Sequence, residues 1–162
     1  EVLFVPDANL GGYVAKQLPD VNVITYNGNC PIHHNIKPED ILAKKKEYPN
    51  ALVMIHPECQ KEVVELADFV GSTTAIIKEV GKSNAKEFII VTEKGVVDRL
   101  NRDFKDKNPV LVSPKVVCES MKQNSLLDIL NTLEQEQYEV VVDEQISQKA
   151  FATINKMLTI NS

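Results

Sequence analysis

The residue types best suited to chemistry in this chain lie just after predicted β-strands. They fall in six short segments, 6–7, 30–34, 56–59, 71–74, 92–95 and 113–118. In a parallel sheet, ligands collect where strands end and helices begin. All three histidines of the 162-residue chain lie in these segments, and this clustering indicates a site more strongly than any single residue does.

Cys30, Cys59 and Cys118 are candidate ligands, because thiolate is the ligand that iron–sulfur clusters and zinc favour. Their odd number and wide spacing argue against a small disulfide-rich secreted protein and indicate a reducing environment. The alternative is that each thiol is a small buried hydrophobe. The sequence contains no Cys-x-x-Cys pair, so a zinc ribbon is not supported, and the thiols alone leave the choice open.

His56 and Glu58 lie two residues apart just after a predicted strand, where both can face one cleft. A neutral imidazole beside a carboxylate is a plausible acid–base pair, and a polar strand end that caps the next helix is an equally good interpretation. Ser72 and Thr73 open a predicted helix, where hydroxyls and free N–H groups can bind an anion. Taken alone, this motif favours ordinary N-capping, and it lacks the ending of a Walker A loop.

Alternating apolar runs and amphipathic stretches predict the elements that position these residues. Strands are predicted at 2–5, 21–25, 51–55, 88–91 and 110–112, and helices between them at 10–18, 38–48, 63–67, 75–80 and 96–104. Strands that alternate with helices predict an α/β fold with parallel sheets. After residue 118 the pattern is mainly helical, at 126–133 and 146–160, with a strand candidate at 140–142.

A repeat relates the first part of the chain to a later part. Residues 1–7 resemble residues 87–93, and each segment is followed by a helix, a second strand and a cysteine. The segments start 86 residues apart, and Cys30 and Cys118 are 88 residues apart. The repeat predicts two equivalent lobes that each present one thiol. Cys59 has no counterpart in this scheme.

Composition excludes several classes of protein. The net charge is -5, hydrophobic residues make up 43% and charged residues 25%, which are values of an ordinary globular chain. No basic stretch with aromatics predicts nucleic-acid binding, and no apolar run is long enough to span a membrane, so we expect a cytoplasmic protein. Glu1–Val5 already has the pattern of a buried strand, and we therefore expect further sequence upstream.

Several segments together resemble quinolinate synthase, the iron–sulfur enzyme of de novo NAD biosynthesis. They occur in family order over about three-quarters of the chain, at 6–15, 28–33, 56–59, 67–73, 85–95 and 118–122. The resemblance implies three-layer αβα lobes with parallel sheets, arranged as part of a pseudo-threefold three-lobe architecture. On this pattern residues 1–34 are the C-terminal portion of the middle lobe, 35–118 a complete α/β lobe, and 119–162 a mainly helical segment that packs back on the lobes.

The resemblance also implies a cofactor and roles for site residues. Cys30 and Cys118 match two of the three ligands of a [4Fe–4S] cluster, Cys59 does not, and the third ligand lies upstream of residue 1. His56 and Glu58 match the family's acid–base residues. His33, Ser72 and Thr73 match substrate contacts, His33 near the cluster and the other two in a phosphate-binding turn.

The implied reaction condenses iminoaspartate with dihydroxyacetone phosphate and releases phosphate and water. L-Aspartate oxidase or aspartate dehydrogenase would supply iminoaspartate, and the chain would be inactive without its N-terminal part. The chain departs from the family pattern at Ala8, Tyr26, Glu119 and Ser120, which are not proposed catalytic residues. The alternative function is a non-catalytic α/β module that binds a small phosphorylated ligand or a partner chain.

Overall fold

The structure of the chain is a computed structural model that describes residues 1–160. Its strands are β1 (Val2–Phe4), β2 (Val23–Thr25), β3 (Leu52–Ile55), β4 (Phe69–Val70), β5 (Glu87–Val91) and β6 (Asn108–Leu111). Its helices are α1 (Ala8–Gln17), α2 (Pro31–His34), α3 (Pro38–Glu47), α4 (Lys61–Val64), α5 (Thr73–Lys82), α6 (Lys94–Asp103), α7 (Leu126–Gln135) and α8 (Glu144–Ile160). The α/β prediction is therefore confirmed.

The larger sheet has the strand order β4-β3-β5-β6, and all of its strands are parallel. Alternate residues of β3 and β5 enter two separate buried clusters, one with side chains of α3 and α4 and the other with side chains of α5 and α6. Phe88, Ile89, Ile90 and Val91 of β5 are fully buried. Helices on both faces give three αβα layers and explain why these strands are continuous apolar runs.

The smaller sheet pairs β1 with β2 in parallel. Helix α1 packs closely on it, since a Cβ on Gly11 would meet side chains of both strands. The strand predicted at Glu1–Val5 is present as β1, but the prediction that it is buried is wrong in this structure, because Leu3 and Val5 are 68% and 58% exposed. In a two-stranded sheet with a helix on one face, side chains that point to the other face stay uncovered.

The internal repeat is present in the structure, with an offset of 86 residues for its helix and its strand pairing. Helices α1 and α6 are both ten residues long. The pairing of Val2 with Val23 in the smaller sheet corresponds to that of Phe88 with Pro109 in the larger one. The two strand–helix–strand units therefore share one register, which confirms the repeat found in the sequence.

Residues 1–119 form one compact unit, and the chain from Ser120 forms a second. The second unit contains a 3₁₀ turn at Ser120–Lys122 followed by α7 and α8. The predicted strand at 140–142 is wrong, because this segment is exposed and has no regular structure. The backbone adopts positive φ angles just before it, at Glu136 and Tyr138, and no described strand pairs with it.

The predicted division at residues 34 and 118, and the packing of 119–162 on the lobes, stay predictions. Residues 161–162 of that last segment lie outside the described residues. Across residues 1–160, none of the helices has both the length and the apolar character that crossing a membrane requires.

Candidate functional site

The carboxyl ends of the strands bring the sequence-predicted residues of the first unit to one edge of the larger sheet. Along this edge, Ser72 and Thr73 follow β4, and His56 and Glu58 follow β3. Thr92 and Glu93 follow β5, and the loop to Cys118 follows β6. The candidate residues thus lie in spatial order at the edge where ligands of parallel sheets bind.

His33 joins the smaller sheet to this edge. It lies in α2, the one-turn helix that Pro31 begins directly after Cys30, and it is only 7% exposed. Its Nδ1 lies 3.3 Å from the Cys30 Sγ and 3.0 Å from a carboxylate oxygen of Glu58. Its Nε2 lies 2.9 Å from the Thr92 hydroxyl. One imidazole therefore contacts a candidate ligand, a candidate acid–base residue and the end of β5.

The partners of His33 assign its tautomer. An ionised carboxylate only accepts hydrogen bonds, so Nδ1 carries the proton toward Glu58 and Nε2 accepts from the Thr92 hydroxyl. Burial lowers the pKa of His33 below its ordinary value, against the opposing effect of the Asp7 and Glu93 carboxylates. The ring is therefore neutral near pH 7.

His56 stacks on His33 with 4.6 Å between ring centroids. The backbone N–H of Glu58 donates to His56 Nδ1 at 3.3 Å, which leaves the ring proton on Nε2. Burial lowers the pKa of His56, and the neighbouring His33 lowers it further, while Glu58 opposes the shift. A neutral imidazole and a carboxylate thus lie side by side, as an acid–base pair requires.

The three cysteines have different surroundings. All three are free thiols, and Cys30 and Cys118 are partly exposed whereas Cys59 is buried. Burial, reinforced by the nearby Glu58, raises the pKa of Cys59 to about 12, and its Sγ faces the Val91 carbonyl at 3.8 Å. A thiol that stays protonated in the core is a poor ligand, in agreement with its lack of a repeat partner.

Buried carboxylates hold the backbone at the other two cysteines. The Cys30 N–H donates to Asp7 at 2.7 Å, and the Cys118 N–H donates to Glu93 at 3.2 Å. Asp7 and Glu93 were both part of the strand-end segments 6–7 and 92–95, yet residue type alone assigned neither of them a role. The feature of the sequence that points to Asp7 and Glu93 is the repeat, because the two acids occupy equivalent positions in its two copies.

Asn9 and Thr92 are further residues of the site that the sequence did not assign. The Asn9 side-chain amide donates to the Glu58 carbonyl at 2.9 Å and lies 3.1 Å from His34 Nδ1. Thr92 is fully buried and bonds His33. Beside Asn9, a cavity of about 460 Å³ opens between α1 and α4, and its lining includes Cys59, the residue that follows Glu58.

Ser72 and Thr73 lie on the same edge but make ordinary helix contacts. Ser72 is the N-cap of α5, and its hydroxyl accepts from the Ala75 N–H at 3.2 Å. Thr73 is the first residue of the helix. The capping interpretation is thus present in the structure, and the phosphate-binding role stays a prediction.

The donor atoms suit a soft metal centre. Within residues 1–160, Cys30, His33 and Glu58 offer ligand atoms that all lie within 4.8 Å of one another. Cys30 and Cys118 are the partly exposed free thiols, and thiolates are the usual ligands of iron–sulfur clusters. These donor types are compatible with a metal centre at Cys30, and the ligation of a cluster by Cys30 and Cys118 stays a prediction.

Comparisons with known proteins identify the family of this chain. The NadA family, described as quinolinate synthetase A protein, matches residues 1–159. Quinolinate synthase of Clostridium kluyveri is 46% identical over 99% of this chain and 53% of its own length. The enzymes of Thermodesulfovibrio yellowstonii and Alkaliphilus metalliredigens are 44% and 42% identical, with the same shares covered. The chain spans about half the length of these curated relatives.

Proposed function

Since this chain belongs to the quinolinate synthase family, we propose that it carries the acid–base pair and two cluster ligands of such an enzyme. The reaction proposed is the condensation of iminoaspartate with dihydroxyacetone phosphate, with release of phosphate and water. An oxidase or dehydrogenase acting on L-aspartate would supply the iminoaspartate. A reducing cytoplasm, in which thiols stay free, is the proposed location.

The observation that carries this proposal is the contact of His33 with both Cys30 and Glu58. This contact joins a candidate cluster ligand to a candidate acid–base residue through one buried ring. An ordinary helix cap or a structural thiol needs no such arrangement. The stacked His56 completes a group of four side chains whose types match the proposed chemistry.

Glu58 would move the proton during dehydration, with His56 beside it as a hydrogen-bond donor. Loss of water requires removal of a proton from carbon and delivery of a proton to the departing hydroxyl. The Glu58 carboxylate can accept the first proton and, once protonated, can deliver it to the departing hydroxyl. The lowered pKa of His56 keeps its ring neutral near pH 7, so its Nε2–H can donate a hydrogen bond to a substrate oxygen without giving up the proton.

Cys30 and Cys118 would hold the cluster in this scheme. When bound, a [4Fe–4S] cluster with one iron open to substrate supplies a Lewis acid for a hydroxyl or carboxylate oxygen. Cys59 is buried and protonated, so a third thiolate has to come from outside this chain. We therefore propose that the chain does not form quinolinate by itself.

Ser72 and Thr73 would bind the phosphate of dihydroxyacetone phosphate. They lie at the N-terminus of the ten-residue helix α5, where backbone N–H groups and the helix dipole favour an anion. Their place beside the His56 strand end supports this role.

Serine substitutions test the ligand assignment. The full-length protein that carries this chain is purified without oxygen, and its visible absorption and iron content are measured. We expect Cys30→Ser and Cys118→Ser each to lose the iron–sulfur band, because serine is a poor ligand for iron, and the matched control Cys59→Ser to keep it. A normal cluster in both of the first two variants would contradict the assignment.

Glu58→Gln tests the acid–base role separately from the cluster. The amide keeps the size of the side chain but cannot accept a proton, so we expect a loss of quinolinate formation of about 10²-fold or more with unchanged iron content. Quinolinate formation and iron content are both measured for Glu58→Gln and for wild type. Wild-type turnover would rule out this role. Phosphate binding by a protein that never takes up iron would favour the non-catalytic module instead.

A further inference from the structure

Two acidic residues at the ends of repeat-equivalent strands are almost fully buried. Asp7 follows β1 and is 3% exposed, and Glu93 follows β5 and is 7% exposed. Burying a carboxylate is costly unless hydrogen bonds compensate for the lost water. The partners of these two residues therefore indicate what the burial achieves.

Each carboxylate accepts two backbone N–H groups from two different segments. One oxygen of Asp7 accepts from Leu10 in the first turn of α1, and the other accepts from Cys30. One oxygen of Glu93 accepts from Gly95 in the first turn of α6, and the other accepts from Cys118. Both carboxylates thus connect the start of a helix to the backbone of a cysteine.

A second hydrogen bond repeats beside each of these bridges. The N–H of Ala8, the first residue of α1, donates to the Gly28 carbonyl at 2.8 Å. The N–H of Lys94, the first residue of α6, donates to the Val116 carbonyl at 3.0 Å. Both carbonyls belong to the residue two places before the cysteine, so the same pair of contacts fixes the same loop position in both halves of the repeat.

We propose that Asp7 and Glu93 are positioning residues, each of which holds one cluster-ligating cysteine against the N-terminus of the preceding helix. This inference rests on the proposed function for the cluster itself. The residues do not contact iron or substrate. They fix the backbone from which the thiol of Cys30 or Cys118 projects, so that both ligands stand in place before any metal binds.

The chemistry of the side chain explains why both positions are acidic. A carboxylate offers two oxygens that only accept, and here each oxygen faces an N–H group. An amide of the same size has one oxygen, and its NH₂ group would face the second N–H without forming a bond. Asparagine or glutamine therefore removes one of the two contacts while it preserves the volume of the side chain.

The repeat itself supplies the matched variants. Glu93→Gln is compared with Glu93→Asp, because Asp at the equivalent position 7 makes the same kind of bridge, to Leu10 three residues on where Glu93 reaches Gly95 two residues on. Asp7→Asn tests the other cysteine. Asp40→Asn is the control, since Asp40 caps α3 through the Lys37 N–H and contacts no cysteine.

The first measurement uses metal-free protein. Alkylation of Cys30 and Cys118 is followed by mass spectrometry of the full-length protein, with circular dichroism as the check on folding. We expect Glu93→Gln to change the rate at Cys118 but not at Cys30, and Asp7→Asn to do the reverse. Glu93→Asp and Asp40→Asn should keep both rates. If one amide variant does not fold, the other gives the same test at its own cysteine.

The second measurement follows the loss of iron to a chelator after reconstitution with iron and sulfide. Loss should be about 10-fold faster in Glu93→Gln and Asp7→Asn than in wild type, which is the usual effect of removing a residue that supports a ligand. Unchanged alkylation and unchanged iron loss in folded amide variants would overturn the inference. A wild-type protein that takes up no iron would instead contradict the proposed function, while the alkylation result still decides the role of the two acids.

Discussion

His33 contacts more of the candidate site than any other single residue described above. Its two nitrogens reach Cys30, Glu58 and Thr92, which come from three separate segments of the chain. The sequence placed this residue near a cluster through the family resemblance. It did not identify Thr92 as the partner, because a threonine at the end of an apolar strand has the same pattern whether or not a distant histidine bonds to it.

The lowered pKa of His56 predicts how stability depends on pH in the metal-free protein. The ordinary pKa of histidine is 6.5 and the folded protein lowers it at His56, so the unfolded chain binds more protons once the pH falls below 6.5. The free energy of unfolding is therefore unaffected by His56 above that pH. It declines as the pH falls further, until the folded protein also binds the proton.

His56→Asn should make this decline shallower, by at most about 1.4 kcal/mol per pH unit. The measurement is urea denaturation of wild type and variant at several pH values between about 5 and 8. The same slope in both proteins would show that His56 titrates alike in the folded and unfolded states.

At the scale of elements, most of the fold was predicted from the sequence. Five of the six sequence-predicted strands occur, and β3 and β5 left the clearest pattern, because strands buried between two layers of helices are continuous apolar runs. The two-residue strand β4 and the one-turn helix α2 were missed, since so few residues show no periodicity. The segment 140–142 has the composition of a strand but lacks a neighbour to pair with.

Adjacent glycines in α1 predict opposite effects of the same substitution. A Cβ on Gly11 would lie 2.6 Å from the Thr25 Cγ2 and 3.0 Å from the Phe4 ring, whereas one on Gly12 meets nothing within 4 Å. Gly11→Ala should therefore lower the free energy of unfolding by about 1–3 kcal/mol through overpacking. Gly12→Ala should raise it by about 0.5–1 kcal/mol, because alanine favours the helix.

Chemical denaturation of the two variants beside wild type measures both effects. Each variant is the control for the other, since both replace a glycine of the same helix by alanine. Equal stabilisation by the two substitutions would mean that α1 does not pack on β1 and β2 as closely as described.

At the scale of the whole molecule, the two compact units differ in how much they bury. Both buried clusters lie within residues 1–119, while the large apolar side chains of α7 and α8 are exposed. A chain that ends at Glu119 should therefore keep a cooperative thermal transition within a few degrees of the 162-residue chain. Calorimetry of the two chains decides this, and loss of the transition in the shorter chain would contradict it.

The resemblance to a family raised expectations about the whole molecule that the residues alone did not raise. Composition and periodicity gave the α/β class and the repeat, both of which the structure confirms. They could not give the proposed cluster or substrates, since three free thiols fit several metal centres. The bridges at Asp7 and Glu93 depend on contacts across 23 and 25 residues, which no local pattern contains.

The common register of the two repeats also bears on folding specificity. Strand β1 pairs with β2 in the same register as β5 pairs with β6. During folding, β2 can therefore pair with β5 in place of β1, within a molecule or between copies. Pro109 marks one difference between the two partner strands, since β2 carries Val23 at the equivalent position. Proline has no N–H to donate and is tolerated where a strand has a single neighbour, so Pro109 makes the outer side of the edge strand β6 less able to accept a further strand.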